Sequence, residues 1–204
     1  MEEIIIIGGG GHAKVLIDCL EEEGKFKIKY IVDDNPSLHD LLAYKVYRRS
    51  HLDATVGAPL IIAIGNGPIR YQIASSLQAA FISTIHPKAV VSKYAEIGVG
   101  SQIFANAVVN AGATIGNHCI INTGTVVEHD CVIHDFVHLS PHSSLAGGVT
   151  VGSFTHIGIG ATIIENVSIG SNVIIGAGAV VVHNIPDNCT AVGIPARPIK
   201  FQDT

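Results

Sequence analysis

The sequence predicts two unlike parts: an α/β unit of βαβ type over residues 1–84, and an all-β prism, a parallel β-helix, over residues 85–204. Three observations predict this. Aliphatic residues recur at every sixth position from Ile85 to Val181. A glycine turn, Gly8–Gly11, separates an apolar run from a helix-like stretch near the start. Glycine is abundant, at 22 residues, and tryptophan is absent, which suits many tight turns better than long packed helices.

Strand, glycine turn, helix and strand follow one another as in a βαβ unit. The apolar run Glu3–Ile7 reads as a buried strand. Lys14–Glu23 carries apolar residues at Val15, Leu16, Cys19 and Leu20 and reads as a helix. Lys27–Val32 is a second strand ending at Asp33-Asp34, and Pro59–Ile64 a third, followed by Gly65-Asn66-Gly67. Pro68–Ala79 can form another helix and Ala80–Ile85 a last strand.

The six-residue register then decides the rest, because repeats outweigh local propensity. The series runs Ile85, Val91, Ile97, Ile103, Val109, Ile115 and onward through Ile169, Ile175 and Val181. Four places after each aliphatic residue the chain favours small or β-branched residues, such as Ala89, Ala95, Ser101, Ala107, Ala113 and Cys119. A period of six is neither an amphipathic helix nor an alternating strand. It describes a chain that turns a corner every six residues and closes a triangular coil in eighteen. Aliphatic side chains fill the prism, and small ones fit where the interior is tight. Glycine, as at Gly98, Gly116, Gly152 and Gly158, serves where the turn needs positive φ or another backbone comes close.

Composition narrows the function classes. With 48% hydrophobic and 14% charged residues the chain is not a disordered one. A net charge of −5 argues against broad attraction to nucleic acid or anionic membrane, so an anionic ligand needs local backbone donors or a few placed cations. Cys19, Cys119, Cys131 and Cys189 form no C-x-x-C pair or zinc pattern and read as reduced, packed thiols. No apolar stretch of about 18 residues suggests a membrane span. The acidic start Met1-Glu2-Glu3 is unlike a secretory signal, and the expectation is a soluble cytoplasmic protein.

Two segments carry chemistry. Gly8, Gly10 and Ala13 fit G-x-G-x-x-A, with Asp33 some twenty residues on; bare N–H groups at a helix start can hold a phosphate. A structural strand-to-helix turn is the alternative. A complete dinucleotide fold needs two βαβ halves, and eighty residues supply one Rossmann-like half, enough for the nucleotide part of a nucleotide sugar. The second segment is Asn122–Cys131, which places Glu128-His129-Asp130 on an otherwise bland repeat surface. His138 and His156 are eighteen residues apart and stack on successive coils. His129 precedes His138 by nine, half a coil, so the two need not meet within one chain. His134 is a further candidate, and His142 and His156 have a wall or surface role as their alternative.

The repeat resembles that of the hexapeptide-repeat acyltransferases, which implies a left-handed β-helix and a homotrimer with active sites between neighbouring prisms. The whole chain resembles the sialic acid O-acetyltransferase and UDP-amino-sugar N-acetyltransferase family, including the UDP-N-acetylbacillosamine-pathway acetyltransferases. The matching motifs are Gly9–Ala13, Val32-Asp33-Asp34, Ala63-Ile64-Gly65-Asn66, Ile85-His86-Pro87, Asn122-Thr123-Gly124, Glu128-His129-Asp130, Ala146-Gly147 and Gly193-Ile194-Pro195-Ala196. The resemblance implies transfer of an acetyl group from acetyl-CoA to a nucleotide-linked 4-amino-4,6-dideoxy sugar, UDP-linked, in a ternary complex and without a metal. It makes His129 the general base and Asp130 its hydrogen-bond partner. His138 lies near the thioester, with Gly147, Ile159, Gly160 and Arg197 along acetyl-CoA. Gly8, Gly9, Gly10, Gly11, His12, Asp33, Asp34 and Asn66 hold the nucleotide sugar. Some relatives carry Glu where this chain has Asp130.

O-acetylation of sialic acid by the same machinery is the near alternative. Two others differ in class. A metal site like that of γ-class carbonic anhydrases would use the five-residue spacing of His129 and His134, but Lys93 stands where the third histidine is expected. A non-catalytic nucleotide-sugar binder is opposed by the intact Glu128-His129-Asp130. The C-terminal Gly193–Arg197 resembles a segment that covers CoA, with Arg197 or Lys200 at its phosphates; a cap against end-to-end strand pairing is the other reading.

Overall fold

A computed structural model of the chain describes residues 1–35, 37–52 and 57–202. The first part is a five-stranded sheet in the order β3-β4-β2-β1-β5, built from β1 (Glu2–Ile7), β2 (Phe26–Val32), β3 (Asp40–Leu41), β4 (Tyr44–Tyr47) and β5 (Leu60–Ile62). Strands β4, β2, β1 and β5 run parallel, and β3 folds back on β4 as a short antiparallel hairpin. Helix α1 (Gly11–Glu23) begins at the glycine turn, three residues before the expected start, and ends on Gly24 in the left-handed conformation. Helix α2 (Gly67–Ser75) is capped by Asn66, whose side chain accepts from Ile69 N, and carries Pro68 in its first turn.

One expectation is corrected, and one element is new. The β3–β4 hairpin forms although Asp40–Tyr47 mixes charged and apolar residues with no clean alternation. Ala80–Ile85 is not a strand of the first sheet: it makes one bridge, Phe81 with Leu60, before Thr84–Ile85 joins the prism.

Seventeen two-residue strands among the described residues, β6 (Thr84–Ile85) to β22 (Val180–Val181), build the left-handed β-helix. Each of the aliphatic positions from Ile85 to Val181 is the second residue of one strand. Every strand pairs in parallel with the strand eighteen residues away, as Thr84 with Gln102 and His138 with His156. The three faces of the prism are three parallel sheets. From Ile103 onward the aliphatic residues are fully buried, together with Ala107, Ala113, Cys119 and Cys131 in the narrower positions. The four cysteines are free and buried. Strand β23 (Cys189–Gly193) extends the largest face, and β24 (Ala196–Phe201) turns back antiparallel along it, so the last coil is closed by a hairpin.

The corners explain the period. The backbone enters the left-handed region once every six residues, from Gly100 through Asn106, Gly112, His118, Gly124, Asp130, Phe136 and onward to Gly178. Asn, Asp and His tolerate this region better than other L-residues, and Phe136 and Phe154 are the costly exceptions. Glycines that follow the aliphatic residue meet a different need. A Cβ on Gly158 would lie 2.6 Å from the Ile175 oxygen and 2.7 Å from the Ala177 nitrogen of the next coil.

The first corner carries His118, Phe136, Phe154 and Asn172, and it faces the N-terminal part. The rings of His118, Phe136 and Phe154 stack at 5.0 and 5.5 Å, nearly parallel, with Tyr71 of α2 set edge-on against the two phenylalanines. This packing offsets backbone strain of order ~1–3 kcal/mol per residue. Arg70 of α2 completes the junction. Its side chain is inaccessible and donates to five carbonyl oxygens: His118 at 2.8 Å, Ile64 at 2.8 Å, Gly65 at 3.1 Å, Phe136 at 2.9 Å and Val137 at 3.3 Å. Burial holds its ionisation down to about 10. On the opposite flank Glu23 accepts from Thr84 Oγ1 at 2.6 Å and from Ile85 N at 3.3 Å.

Gly158→Ala is expected to lower stability by about 1–3 kcal/mol, because backbone must move on two coils. Gly11→Ala, whose Cβ would meet nothing within 4 Å, is expected to leave thermal melting unchanged or slightly raised. Melting of both variants against the parent checks the contrast.

Candidate functional site

The parallel strands β1, β2 and β5 end together, and a cavity of about 470 Å³ opens beyond their C-terminal ends. Such crevices are where open α/β sheets bind ligands. The cavity is lined by Gly8, Asp33, Asp34, Arg49, Gln72 and Ser76, among others. Gly8 is required by position: its φ is 104°, and a Cβ would stand 2.9 Å from the Ala63 oxygen. Asp33 pins the turn, accepting from Gly9 N at 2.6 Å and from Asn35 N at 2.7 Å. Gly10 and Gly11 are exposed, with open space where a side chain would be. Helix α1 starts there with no side-chain cap and no acidic residue in its first turn. Its positive end is therefore available to an anion.

His12 and Asn66 point elsewhere. Neither lines this cavity. His12 Nε2 meets Gln102 Oε1 of the β-helix at 2.9 Å, and the Gln102 amide donates to the Ile62 oxygen at 2.7 Å. The amide orientation fixes the proton on His12 Nε2. Asn66 lines a second cavity, of about 210 Å³, together with Gly65, His138, Phe154, His156 and Gln202.

His138 and His156 stack on successive coils as their spacing requires, with ring centroids 4.7 Å apart and an interplanar angle of 5°. His138 Nδ1 faces the Gly65 oxygen at 3.2 Å and Nε2 faces Asn122 Nδ2 at 3.1 Å. Asn122 Oδ1 already accepts from Thr123 N at 2.8 Å, so its amide group is the donor to His138. The His138 proton consequently resides on Nδ1 and both ring nitrogens are engaged. A hydrogen bond from Nε2 to a thioester oxygen requires Asn122 to turn and the proton to change nitrogen. Burial, then His156, His12 and Arg70, push the His138 pKa down to about 3, and the ring is neutral at working pH.

His129 stands apart. The largest face, which carries His138, runs between the corner of Phe136 and that of His142. The third corner, of Gly112, Asp130, Gly148 and Asn166, is the vertex opposite that face. Asp130 occupies this corner with φ 60°, which brings its Oδ2 to 2.8 Å from His129 Nδ1. The His129 side chain is 65% exposed, and its pKa is raised by the hydrogen bond that its Nδ1–H donates to Asp130. Nδ1 being held, Nε2 is free toward solvent. Gly147 of the next coil lies against the ring: a Cβ there would be 2.6 Å from Nε2. Among the described residues Gly147 N–H has no backbone acceptor.

The remaining expected residues lie elsewhere. Ile159 and Gly160 sit at the corner shared with His142, exposed, with open space around Gly160. Arg197 is exposed on β24, its guanidinium returning to the Ala196 oxygen at 3.0 Å. His134 is exposed and does not join His129. Among the described residues no three His, Cys, Asp or Glu side chains gather to hold a metal, and no helix is long and apolar enough to cross a membrane. Sequence reasoning missed Gln102, Arg70 and the cavity residues Arg49 and Gln72. Gln102 was detectable as a polar residue on an outward strand position; Arg70 gave no signal.

Known proteins share both parts of this fold. Residues 3–77 match the PglD N-terminal domain and residues 148–183 match the bacterial transferase hexapeptide repeat. A UDP-N-acetylbacillosamine N-acetyltransferase of Bacillus subtilis is 41% identical over 117 residues, about half of each chain (52% of both). Over 98% of both chains, the structure superposes with TM-score 0.93 and 38% identity on a perosamine N-acetyltransferase variant from Caulobacter crescentus, solved with CoA and GDP-perosamine. The acetyltransferase domain of PglB from Neisseria gonorrhoeae matches at 36% identity and TM-score 0.91, over 98% of this chain and all of that one. With a PglD-type half-fold joined to a left-handed prism of hexapeptide repeats along the whole length of such relatives, the chain belongs to the acetyl-CoA-dependent sugar N-acetyltransferases.

Proposed function

We propose that the chain transfers the acetyl group of acetyl-CoA directly to the 4-amino group of a UDP-linked 4-amino-4,6-dideoxy sugar, with His129 as general base. The observation that carries this reading is the exposed His129, held at Nδ1 by Asp130 and free at Nε2. The names of the relatives support the substrate class: a UDP-N-acetylbacillosamine N-acetyltransferase favours the UDP sugar, and a complex with CoA and GDP-perosamine favours an amino-sugar nucleotide.

Amide formation needs a neutral amine. As the sugar nitrogen attacks the thioester carbon, His129 Nε2 takes its proton, and Asp130 stabilises the imidazolium that forms. Gly147 N–H, beside the ring, is placed to donate to the oxyanion of the tetrahedral intermediate. The C–S bond then breaks, and the sulfur of CoA leaves with the proton carried by His129. The products are the acetamido sugar and CoA thiol, with no acyl-enzyme. The 470 Å³ cavity receives the nucleotide, its phosphates at the start of α1 near Gly10 and Gly11. CoA runs along the corner of Ile159 and Gly160 toward Arg197.

His129 sits at the vertex opposite the face that carries His138. This supports an active site assembled between chains of a homotrimer, in which one chain supplies His129, Asp130 and Gly147 and its neighbour supplies the nucleotide cavity. Exposed Val90, Tyr94 and Val132 offer apolar surface for such packing. Light scattering is expected to give three times the 21.3 kDa chain mass; a monomer overturns this assembly.

Mixing protein and acetyl-CoA with UDP-, dTDP- and GDP-linked 4-amino-4,6-dideoxy sugars, and with free sialic acid, tests the reaction through released thiol. Rapid release with the UDP amino sugar is expected. Release with sialic acid alone moves the chemistry to oxygen and overturns the proposal.

His129→Ala is expected to lower kcat by ~10²–10⁴ with little change in acetyl-CoA affinity. Because the base must be neutral and its pKa is raised, kcat/KM should fall on the acid side with an apparent pKa above about 6.5. Asp130→Asn should shift that limb to lower pH and reduce the plateau. An unmoved limb in Asp130→Asn removes Asp130 from its role.

A further inference from the structure

The buried guanidinium of Arg70 does more than fasten two parts. Its five N–H donors are all used on carbonyl oxygens, and no carboxylate is among its partners. Three of the five surround one residue. Phe136 and Val137 are the two peptide units leading into His138, and Gly65 is the acceptor of the His138 ring. The Gly65 oxygen thus takes one hydrogen bond from Arg70 at 3.1 Å and one from His138 Nδ1 at 3.2 Å. Arg70 holds that oxygen still and carries the strand that presents the ring.

We propose that Arg70 is a positioning residue for His138: by holding the Gly65 oxygen and the Phe136–Val137 carbonyls, it keeps the ring as its Nδ1–H tautomer, with Nε2 accepting from Asn122. The assignment rests on the reading that His138 stands at the acetyl-transfer site, but its main test does not. Geometry and charge act in one sense. A ring donating from Nδ1 needs a fixed acceptor, which Arg70 supplies. A protonated ring would donate from both nitrogens, and Nε2 faces the amide donor of Asn122. The charged and titratable groups around the ring are His156 on the next coil, His12 at the start of α1, and Arg70 itself; all three oppose a positive charge on it.

Lysine at position 70 keeps the charge but cannot span five carbonyls with a planar fork. The test is a two-bond ¹H–¹⁵N histidine spectrum of the full-length protein between about pH 5 and 8, the range in which an unperturbed histidine titrates. The His138 signals are assigned by their loss in His138→Gln. Wild-type protein is expected to show one non-titrating Nδ1–H ring. In Arg70→Lys that ring should become a tautomer mixture. An Arg70→Lys protein that melts earlier but keeps the single Nδ1–H tautomer overturns the proposal and leaves Arg70 a fastener. If Arg70→Lys does not fold, the wild-type spectrum decides: an Nε2–H ring, or one that titrates in this range, overturns it, and a fixed Nδ1–H ring upholds it. Failure of the transferase reading is distinguishable, since it silences thiol release without altering this spectrum.

Discussion

A chain that must pass through the left-handed region once every six residues can place side chains at only a few azimuths, repeated at each coil. That constraint runs from Gly100 to Gly178 and underlies the whole molecule. It decides which residue types the corners admit. It stacks whatever lies eighteen residues apart, so His138 meets His156 and His129 meets Gly147. It also separates what lies nine residues apart, setting His129 at the vertex opposite the face of His138. Its demand for close coil-to-coil approach selects glycine at Gly158 and leaves room at Gly147 for an imidazole that any side chain would exclude.

The same rigidity makes the prism a frame for the N-terminal part. The costly corner at Phe136 and Phe154 is the one that α2 covers, and its strain is offset by ring stacking and by Tyr71. A buried cation is normally expensive unless every donor is satisfied, and Arg70 meets that condition entirely with backbone oxygens. Because those oxygens bring no negative charge, the guanidinium leaves a positive field at the junction. His12, His118, His138 and His156 all lose basicity in it, after burial itself. His129, out at the far corner beside Asp130, gains basicity. The fold thus lowers the basicity of four histidines at the junction and raises that of His129 at the exposed corner.

Much of the architecture was legible in the sequence because a period of six has no competing explanation. Every aliphatic position from Ile85 to Val181 falls in a strand, and the β1–α1–β2 unit stands where Gly8–Gly11 indicated. What failed were short-range assignments with no period behind them. Asp40–Tyr47 forms a hairpin without alternation, and Phe81 makes a single bridge to Leu60 before the chain enters the prism. At the candidate site, His129, Asp130 and the His138–His156 stack followed from motif and spacing. The tautomer of His138 did not, because it depends on Gly65 and Asn122, 73 and 16 residues away, meeting one ring. Arg70 was invisible for the same reason: its partners are backbone oxygens, which carry no residue-type signature.

In the proposed mechanism His129 takes the proton from the sugar amine within a cleft that two chains share. A crystal structure of the protein with CoA and the UDP-linked amino sugar tests it most directly. The nucleotide is expected in the cavity between Asp33 and Gln72, and the amine nitrogen within about 2.6–3.2 Å of Nε2 of His129 from the neighbouring chain. An amine beyond reach of every His129, or one hydrogen-bonded to His138 alone, would contradict it.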